Sequence, residues 1–166
     1  MQRDGRNEIV ISTAHGRILF YDTDRFDLTW ENLQDRFERV DCITAANIDH
    51  DPQDELILIA RNRGEPSKLY VYDTVHKNNE WRSTNTFEAR QILVANTDND
   101  DQLEIILNTG FVIDSKFFNI EWAADAPFGD RIMVMELNGD CYPEIIGTTK
   151  DYSLRVWDVY AEREIW

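Results

Sequence analysis

Four of the five tryptophans in this chain follow an aspartate by eight residues, and this spacing constrains the fold more than any other feature. The pairs are Asp22 and Trp30, Asp73 and Trp81, Asp114 and Trp122, and Asp158 and Trp166. Each aspartate closes an apolar run, and an earlier apolar run follows a glutamate in every copy: Glu8, Glu55, Glu104 and Glu144. These glutamates are 47, 49 and 40 residues apart, so the chain is a series of four sequence repeats.

Each repeat supplies about four short β-rich runs separated by Asp, Asn, Gly and Pro. The run after each glutamate is apolar on consecutive residues, which is typical of a strand covered on both faces. The run that ends in aspartate alternates, as where Leu69 and Val71 are interleaved with two tyrosines. Four strands at a period of 40–50 residues are typical of one blade of a β-propeller. A β-sandwich is the alternative, although its strands need not repeat so regularly.

We therefore predict an all-β fold, a partial β-propeller domain over residues 1–166. Its four-stranded blades lie at about 1–40, 41–89, 90–129 and 130–166, and the first and last are incomplete. An unclosed propeller exposes a strand edge and an apolar blade face. We accordingly expect a piece of a longer propeller, and the alternative is a ring closed by a second copy of the chain. The repeat tryptophans are expected to pack between blades.

The charge balance narrows the candidate partners. Seventeen basic residues against 32 acidic ones leave a net charge of −15. Phosphate backbones and anionic lipids repel such a chain, so we expect no nucleic acid or membrane partner and favour a protein partner with a cationic surface. No apolar run approaches the ~18 residues needed to span a bilayer, and no signal peptide is apparent, so a soluble protein is expected. Cys42 and Cys141 are read as free thiols.

An acidic loop precedes the glutamate run in the last three repeats, with oxygen-bearing side chains at loop positions 1, 3, 5 and 9. A hard cation such as Ca²⁺ takes about six to eight oxygen ligands, and alternate residues of a tight loop can direct oxygens at one centre. The candidate metal ligands are Asn47, Asp49, Asp51 and Glu55 in the second repeat, Asn96, Asp98, Asp100 and Glu104 in the third, and Glu136, Asn138, Asp140 and Glu144 in the fourth. The alternative is that these loops are turns capped by side-chain hydrogen bonds.

These loops resemble the FG-GAP repeat (VCBS-type, integrin-like propellers), in which Asp-x-Asp-x-Asp-Gly-x-x-Asp/Glu precedes an apolar strand. In that family the acidic positions hold calcium between the first two strands of a blade, so the resemblance implies calcium as a cofactor. The chain departs from the pattern at position 6, where Pro52, Asp101 and Cys141 replace glycine. The run 16–22 followed by Trp30 is similar to propeller repeats named for pyrroloquinoline quinone, in which the tryptophan docks between blades. The quinone itself is not implied.

The sequence contains no recognisable catalytic constellation. His15, His50 and His76 lie in different parts of the repeat, and neither a nucleophile elbow nor a phosphate-binding glycine loop is present. We therefore predict a non-catalytic binding or scaffolding module whose acidic surface interacts with a protein.

The alternative function is a calcium-dependent sugar-active enzyme, a lyase or hydrolase, or a fragment of one. Such an enzyme would need a deep pocket with perturbed carboxylates beside a residue found in one repeat only. The candidates for that residue are Arg61, Arg63 and Lys68.

Overall fold

The structure, a computed structural model, describes residues 7–33, 36–49 and 51–166, and these contain strands and turns but no helix. Within these described residues, fifteen strands form four antiparallel sheets, each with three or four strands. The all-β prediction is therefore confirmed. Within the same residues, no helix is long and apolar enough to cross a membrane.

The first compact unit, Met1–Glu88, contains two of the sheets. The first sheet consists of β1 (Glu8–Ser12), β2 (Ile18–Asp22) and β3 (Leu28–Glu31). The second consists of β4 (Arg39–Ala46), β5 (Glu55–Arg61), β6 (Lys68–Asp73) and β7 (Asn78–Arg82). Each strand pairs with the next one along the chain, so both sheets are antiparallel meanders.

The second compact unit, Ala89–Trp166, contains the other two sheets. The third sheet consists of β8 (Ile92–Ala95), β9 (Glu104–Leu107), β10 (Phe111–Asp114) and β11 (Ile120–Ala123). The fourth consists of β12 (Arg131–Met135), β13 (Glu144–Thr148), β14 (Leu154–Asp158) and β15 (Arg163–Glu164). Their strands also follow one another in chain order.

The core of the first unit joins its two sheets. Its buried members are Ile18, Phe20, Phe37, Val40, Leu56, Leu58, Ala60, Tyr70 and Tyr72, and Trp30 packs against them half-buried. Phe37 lies between the sheets, with its ring 4.8 Å from that of Tyr70. Residue 16 must be glycine here, because a Cβ would lie 1.8 Å from the Phe37 carbonyl oxygen.

The core of the second unit also joins its two sheets. Its buried members are Ile106, Val112, Phe128, Ile132, Ile145, Trp157 and Val159. Phe128 corresponds to Phe37, and its ring lies 5.1 Å from that of Trp157. Trp122 is half-buried against this cluster, 5.5 Å from Phe128. The fully buried tryptophan is thus Trp157, which lies outside the eight-residue spacing.

The repeat aspartates shape the hairpin between the last two strands of each sheet. Asp22 Oδ1 accepts hydrogen bonds from the backbone of Asp24 and Arg25, and Asp73, Asp114 and Asp158 make equivalent contacts. Four residues after each aspartate the backbone has a positive φ, at Phe26, Lys77, Phe118 and Glu162. The carboxylate hydrogen bonds therefore offset part of the free-energy cost of this left-handed turn residue, which is unfavourable for L-amino acids.

In the first three sheets a β-bulge follows this turn and explains where the tryptophans lie. The register shifts so that Trp30, Trp81 and Trp122 pair with Phe20, Val71 and Val112. The residue before each tryptophan is consequently the bulged one, and these residues are Thr29, Glu80 and Glu121. A bulge re-aims the side chain that it carries.

Candidate cation-binding site

The acidic loops of the last three repeats fold alike. The glutamate at position 9 accepts a hydrogen bond from the backbone N–H at position 2: Ile48 donates to Glu55, Thr97 to Glu104 and Leu137 to Glu144. The side chain at position 3 accepts from the N–H at position 5, and position 5 accepts from position 7. Positions 3, 5 and 9 therefore occupy equivalent places in all three loops.

Position 1 differs among the loops. Asn47 and Asn96 donate through their amides to the carbonyls of Asp51 and Asp100. Glu136 instead accepts from the backbone of Asn138 and Gly139. Because these side-chain amides donate to the backbone of their own loop, the asparagines at position 1 stabilise the turn. His50, inside the second loop, lies outside the described residues.

Position 6 is where the chain departs from the glycine of the pattern it resembles. In the fourth loop Cys141 adopts a φ of 77°, the left-handed conformation that glycine would accept without strain. Among the described residues, Pro52 and Asp101 are not in that conformation. The second and third loops therefore close with an ordinary backbone at this position.

Carboxylate oxygens converge in each loop. In the second repeat one oxygen each from Asp49, Asp51 and Glu55 lies within 4.8 Å of the other two. In the fourth repeat Glu136, Asp140 and Glu144 do the same. The side-chain amide of Asn138 donates to Asp140, a member of that group, at 2.9 Å.

The third repeat gathers carboxylates from outside its loop. Asp98 and Glu104 share a 4.8 Å cluster with Glu121, and Asp100 shares another with Asp114 and Glu121. Asp114 faces Glu104 directly across the β9–β10 ladder, and Glu121 is the bulged residue of β11. Sequence reasoning missed both residues, although the glutamate before the tryptophan in two repeats was a usable signal.

Among the residues that the structure describes, two carboxylate oxygens are buried without a hydrogen-bond partner: Oε1 of Glu104 and Oε1 of Glu144. Each of these side chains is only 1% exposed. A buried carboxylate oxygen that lacks a partner carries a desolvation cost, which a bound cation would offset. The donor set, all oxygen and mostly carboxylate, suits a hard cation such as Ca²⁺.

The electrostatics of these clusters also favour a cation. Burial raises the pKa of Glu104 to about 7, although the hydrogen bonds from Thr97 oppose this shift. Burial likewise raises the pKa of Glu121 to about 7, and the charges of Asp114, Asp98 and Asp100 act in the same direction. Burial raises the pKa of Glu55 to about 7 as well. Carboxyl groups in such surroundings hold their negative charge at a cost unless a cation is near.

A lysine of the second repeat neutralises the corresponding glutamate of the first repeat. The Lys77 ammonium lies 3.0 Å from Glu8, at loop position 9, and 3.6 Å from the centre of the Phe20 ring. The bulged residue Thr29 also donates to Glu8, at 3.3 Å. Glu8 therefore has a cation supplied by the chain itself.

A cleft of about 380 Å³ opens beside the third acidic loop in the second unit. Asp98, Asp100, Glu121, Trp122, Tyr160 and Glu162 contribute to its walls. A second cleft, of about 300 Å³, lies near Trp157 and includes Arg155, which is paired with Glu164. Arg61, Arg63 and Lys68 belong to the first unit and line neither cleft; Arg61 lies 3.7 Å from Glu38.

No model of a known protein family matches the chain, and no curated protein sequence matches it either.

Proposed function

We propose that this chain is a non-catalytic binding module, built from propeller-type blades, whose acidic loops bind Ca²⁺. The observation that carries the proposal is the buried, unpartnered Oε1 of Glu104, in a residue whose carboxylate lies within 4.8 Å of Asp98 and Glu121 oxygens. Capping of turns accounts for the other carboxylate oxygen of Glu104, which accepts from Thr97, but not for this one.

The wider role that fits the chain is presentation of an acidic surface to a cationic protein segment. The net charge of −15 and the exposed carboxylates of the loops support this role. Complementary charge would mainly accelerate association, and the rate would fall as salt rises. Four meanders of three or four antiparallel strands, each in chain order, support blades of a propeller.

Calcium titration of the Glu104→Gln variant tests the proposal. A ligand that binds only the native state stabilises it, by about 2.7 kcal/mol at 100 times its Kd. For a chain of this length, that corresponds to a rise in Tm of about 5–10 °C. We expect saturating Ca²⁺ to produce such a rise in the unmodified protein and a clearly smaller one in Glu104→Gln.

Glu88→Gln is the matched control, because Glu88 is exposed and lies in none of the described acidic clusters. It should respond to Ca²⁺ like the unmodified protein. If chelator and Ca²⁺ give the same Tm for the unmodified protein, and calorimetric titration detects no binding, the loops are plain turns and the proposal is wrong.

A further inference from the structure

The two units carry opposite charges at one equivalent position. Lys77 and Glu162 each lie four residues after a repeat aspartate, and both have a left-handed backbone, with φ of 57° and 51°. In the first unit, Lys77 reaches from the second sheet to Glu8 on the first. In the second unit, Glu162 from the fourth sheet lines the same cleft as Asp98 and Glu121 of the third.

Glu8 and Glu104 are likewise equivalent, since each is position 9 of its loop and opens the second run of its repeat. Glu8 has the Lys77 ammonium at 3.0 Å. Glu104 is 1% exposed and keeps Oε1 without a hydrogen-bond partner, beside two further carboxylates. The first unit therefore pairs Glu8 with a lysine of its own chain, whereas the second unit places further carboxylates beside the equivalent glutamate.

We propose that a divalent cation, Ca²⁺, occupies this place in the second unit, with Glu121 as a ligand from outside the loop together with Asp98 and Glu104. This inference rests on the proposed function and adds to it a strand-borne ligand. The cation corresponds to the Lys77 ammonium and links the β8–β9 loop to the bulge of β11.

The number of carboxylates explains why the bound cation would be divalent. The cluster and its rim hold five carboxylates: Asp98, Asp100, Glu104, Asp114 and Glu121. A single positive charge suffices for Glu8, whereas several carboxylates within one cluster favour a cation of higher charge. Ca²⁺ also accepts the varied carboxylate geometries that a loop and a strand together provide.

The first experiment measures binding at the third repeat alone. Glu55→Gln and Glu144→Gln together remove the position 9 carboxylates of the other two complete loops. In this background we expect calorimetric titration to show Ca²⁺ binding that Glu121→Gln weakens about ten-fold or more, because affinity follows the number of charged ligands. Glu80→Gln is the matched control: it alters the same bulge position in the second repeat and should leave this binding unchanged.

Hydrogen exchange on the unmodified chain provides a second measurement that does not depend on the background variant folding. Ca²⁺ should slow amide exchange in the segment 115–123, because the cation ties the bulge of β11 to the loop. Glu121→Gln should remove that protection while leaving the Ca²⁺ response of the segment 136–144 intact.

A charge reversal tests the correspondence with Lys77. Glu162→Lys should place an ammonium at the rim of the cluster, raise the Tm measured with chelator, and lower the Ca²⁺ affinity of the third repeat about ten-fold or more. Glu164→Lys, which alters an exposed neighbour paired with Arg155, should not produce this combination.

The outcomes separate the two proposals. If Glu104→Gln abolishes binding but Glu121→Gln leaves affinity and exchange protection unchanged, the loop binds calcium and this inference is overturned. If the unmodified chain binds no Ca²⁺ at all, the proposed function fails and this inference with it. Weakening by Glu121→Gln but not Glu80→Gln, together with the Glu162→Lys result, supports the site.

Discussion

At the residue scale, the two carboxylate oxygens of the position 9 glutamate differ in their surroundings. In each complete loop, one oxygen of the position 9 glutamate accepts a backbone hydrogen bond and fixes the turn. In Glu104 and Glu144 the other oxygen is buried and unpartnered. The turn is therefore compatible with a bound cation, which would use a different atom of the same side chain.

The two cysteines offer a residue-scale prediction about reactivity. Burial raises the pKa of the Cys42 thiol to about 12, whereas Cys141 is exposed in the fourth loop. At pH 8 only about one Cys42 in 10⁴ is then a thiolate, the form that reacts. We expect iodoacetamide to modify Cys141 rapidly and Cys42 only after denaturation, as peptide mass spectrometry would show.

The Cys141→Ser variant is the control for that measurement and should lose the rapid phase. Comparable rates for the two native thiols would contradict the burial of Cys42. The structure shows Cys42 and Cys141 as thiols and not as a disulfide, as their separate repeat positions predict.

Residue identities within the loops were accessible from the sequence, but the full cluster was not. Asp98 and Glu104 were chosen from spacing, and the structure places oxygens of both in one cluster. Glu121 joins that cluster, and with Asp114 it forms a second one around Asp100, through strand register and a bulge, which are long-range features. The glutamate before the tryptophan recurs in two repeats and so marks Glu121, but no local pattern states that its side chain or that of Asp114 lies beside the acidic loop, so assigning them to the site required the fold.

At the scale of elements, the hairpin after each repeat aspartate is the unit that recurs most faithfully. The aspartate caps the turn, a left-handed residue closes it, and in three sheets a bulge sets the tryptophan opposite the residue two before the aspartate. The constant spacing of eight is therefore a property of one hairpin. The variable distance from glutamate to aspartate belongs to the preceding turn, whose side-chain hydrogen bonds differ from copy to copy: the Arg17 N–H donates to Thr13 in the first sheet and the Ser153 N–H to Asp151 in the fourth.

Burial of the tryptophans required the packed sheets as well as the spacing. Trp30, Trp81 and Trp122 are half-buried, whereas Trp157 is 2% exposed between Phe128 and its own sheet. The eight-residue spacing led us to expect that the regular tryptophans pack between blades. That spacing reports where a residue lies in its hairpin, and it does not report how deeply the side chain is buried. Trp30 and Trp122 do pack on clusters drawn from two sheets.

Replacement of Trp157 should therefore be the most costly change of a tryptophan. Trp157→Ala removes a fully buried aromatic side chain and should lower the free energy of unfolding by about 3–5 kcal/mol. Trp166→Ala, at a side chain that is 68% exposed, should cost less than about 1 kcal/mol. Urea denaturation followed by circular dichroism measures both, and equal losses would contradict the core described for the second unit.

At the scale of the whole molecule, the acidic excess dominates the energetics of the free protein. A net charge of −15 on 166 residues disfavours the compact state through self-repulsion, and the loops concentrate part of that charge. Bound cations and dissolved salt relieve the repulsion in different ways. A specific site acts at low concentration and through named ligands, whereas screening acts over a length of about 10 Å at 0.1 M salt.

Salt should consequently stabilise the calcium-free protein. Raising NaCl from about 20 to 200 mM in the presence of chelator shortens the screening length and weakens repulsion among exposed carboxylates, so Tm should rise. With saturating Ca²⁺ the same increase in salt should raise Tm less, because bound cations already neutralise part of the loop charge. The Glu104→Gln variant should lie between these cases, with a weaker Ca²⁺ effect on its salt response. Scanning calorimetry measures all three, and a fall in Tm with salt in chelator would show that favourable ion pairs such as Lys77 with Glu8 outweigh the repulsion.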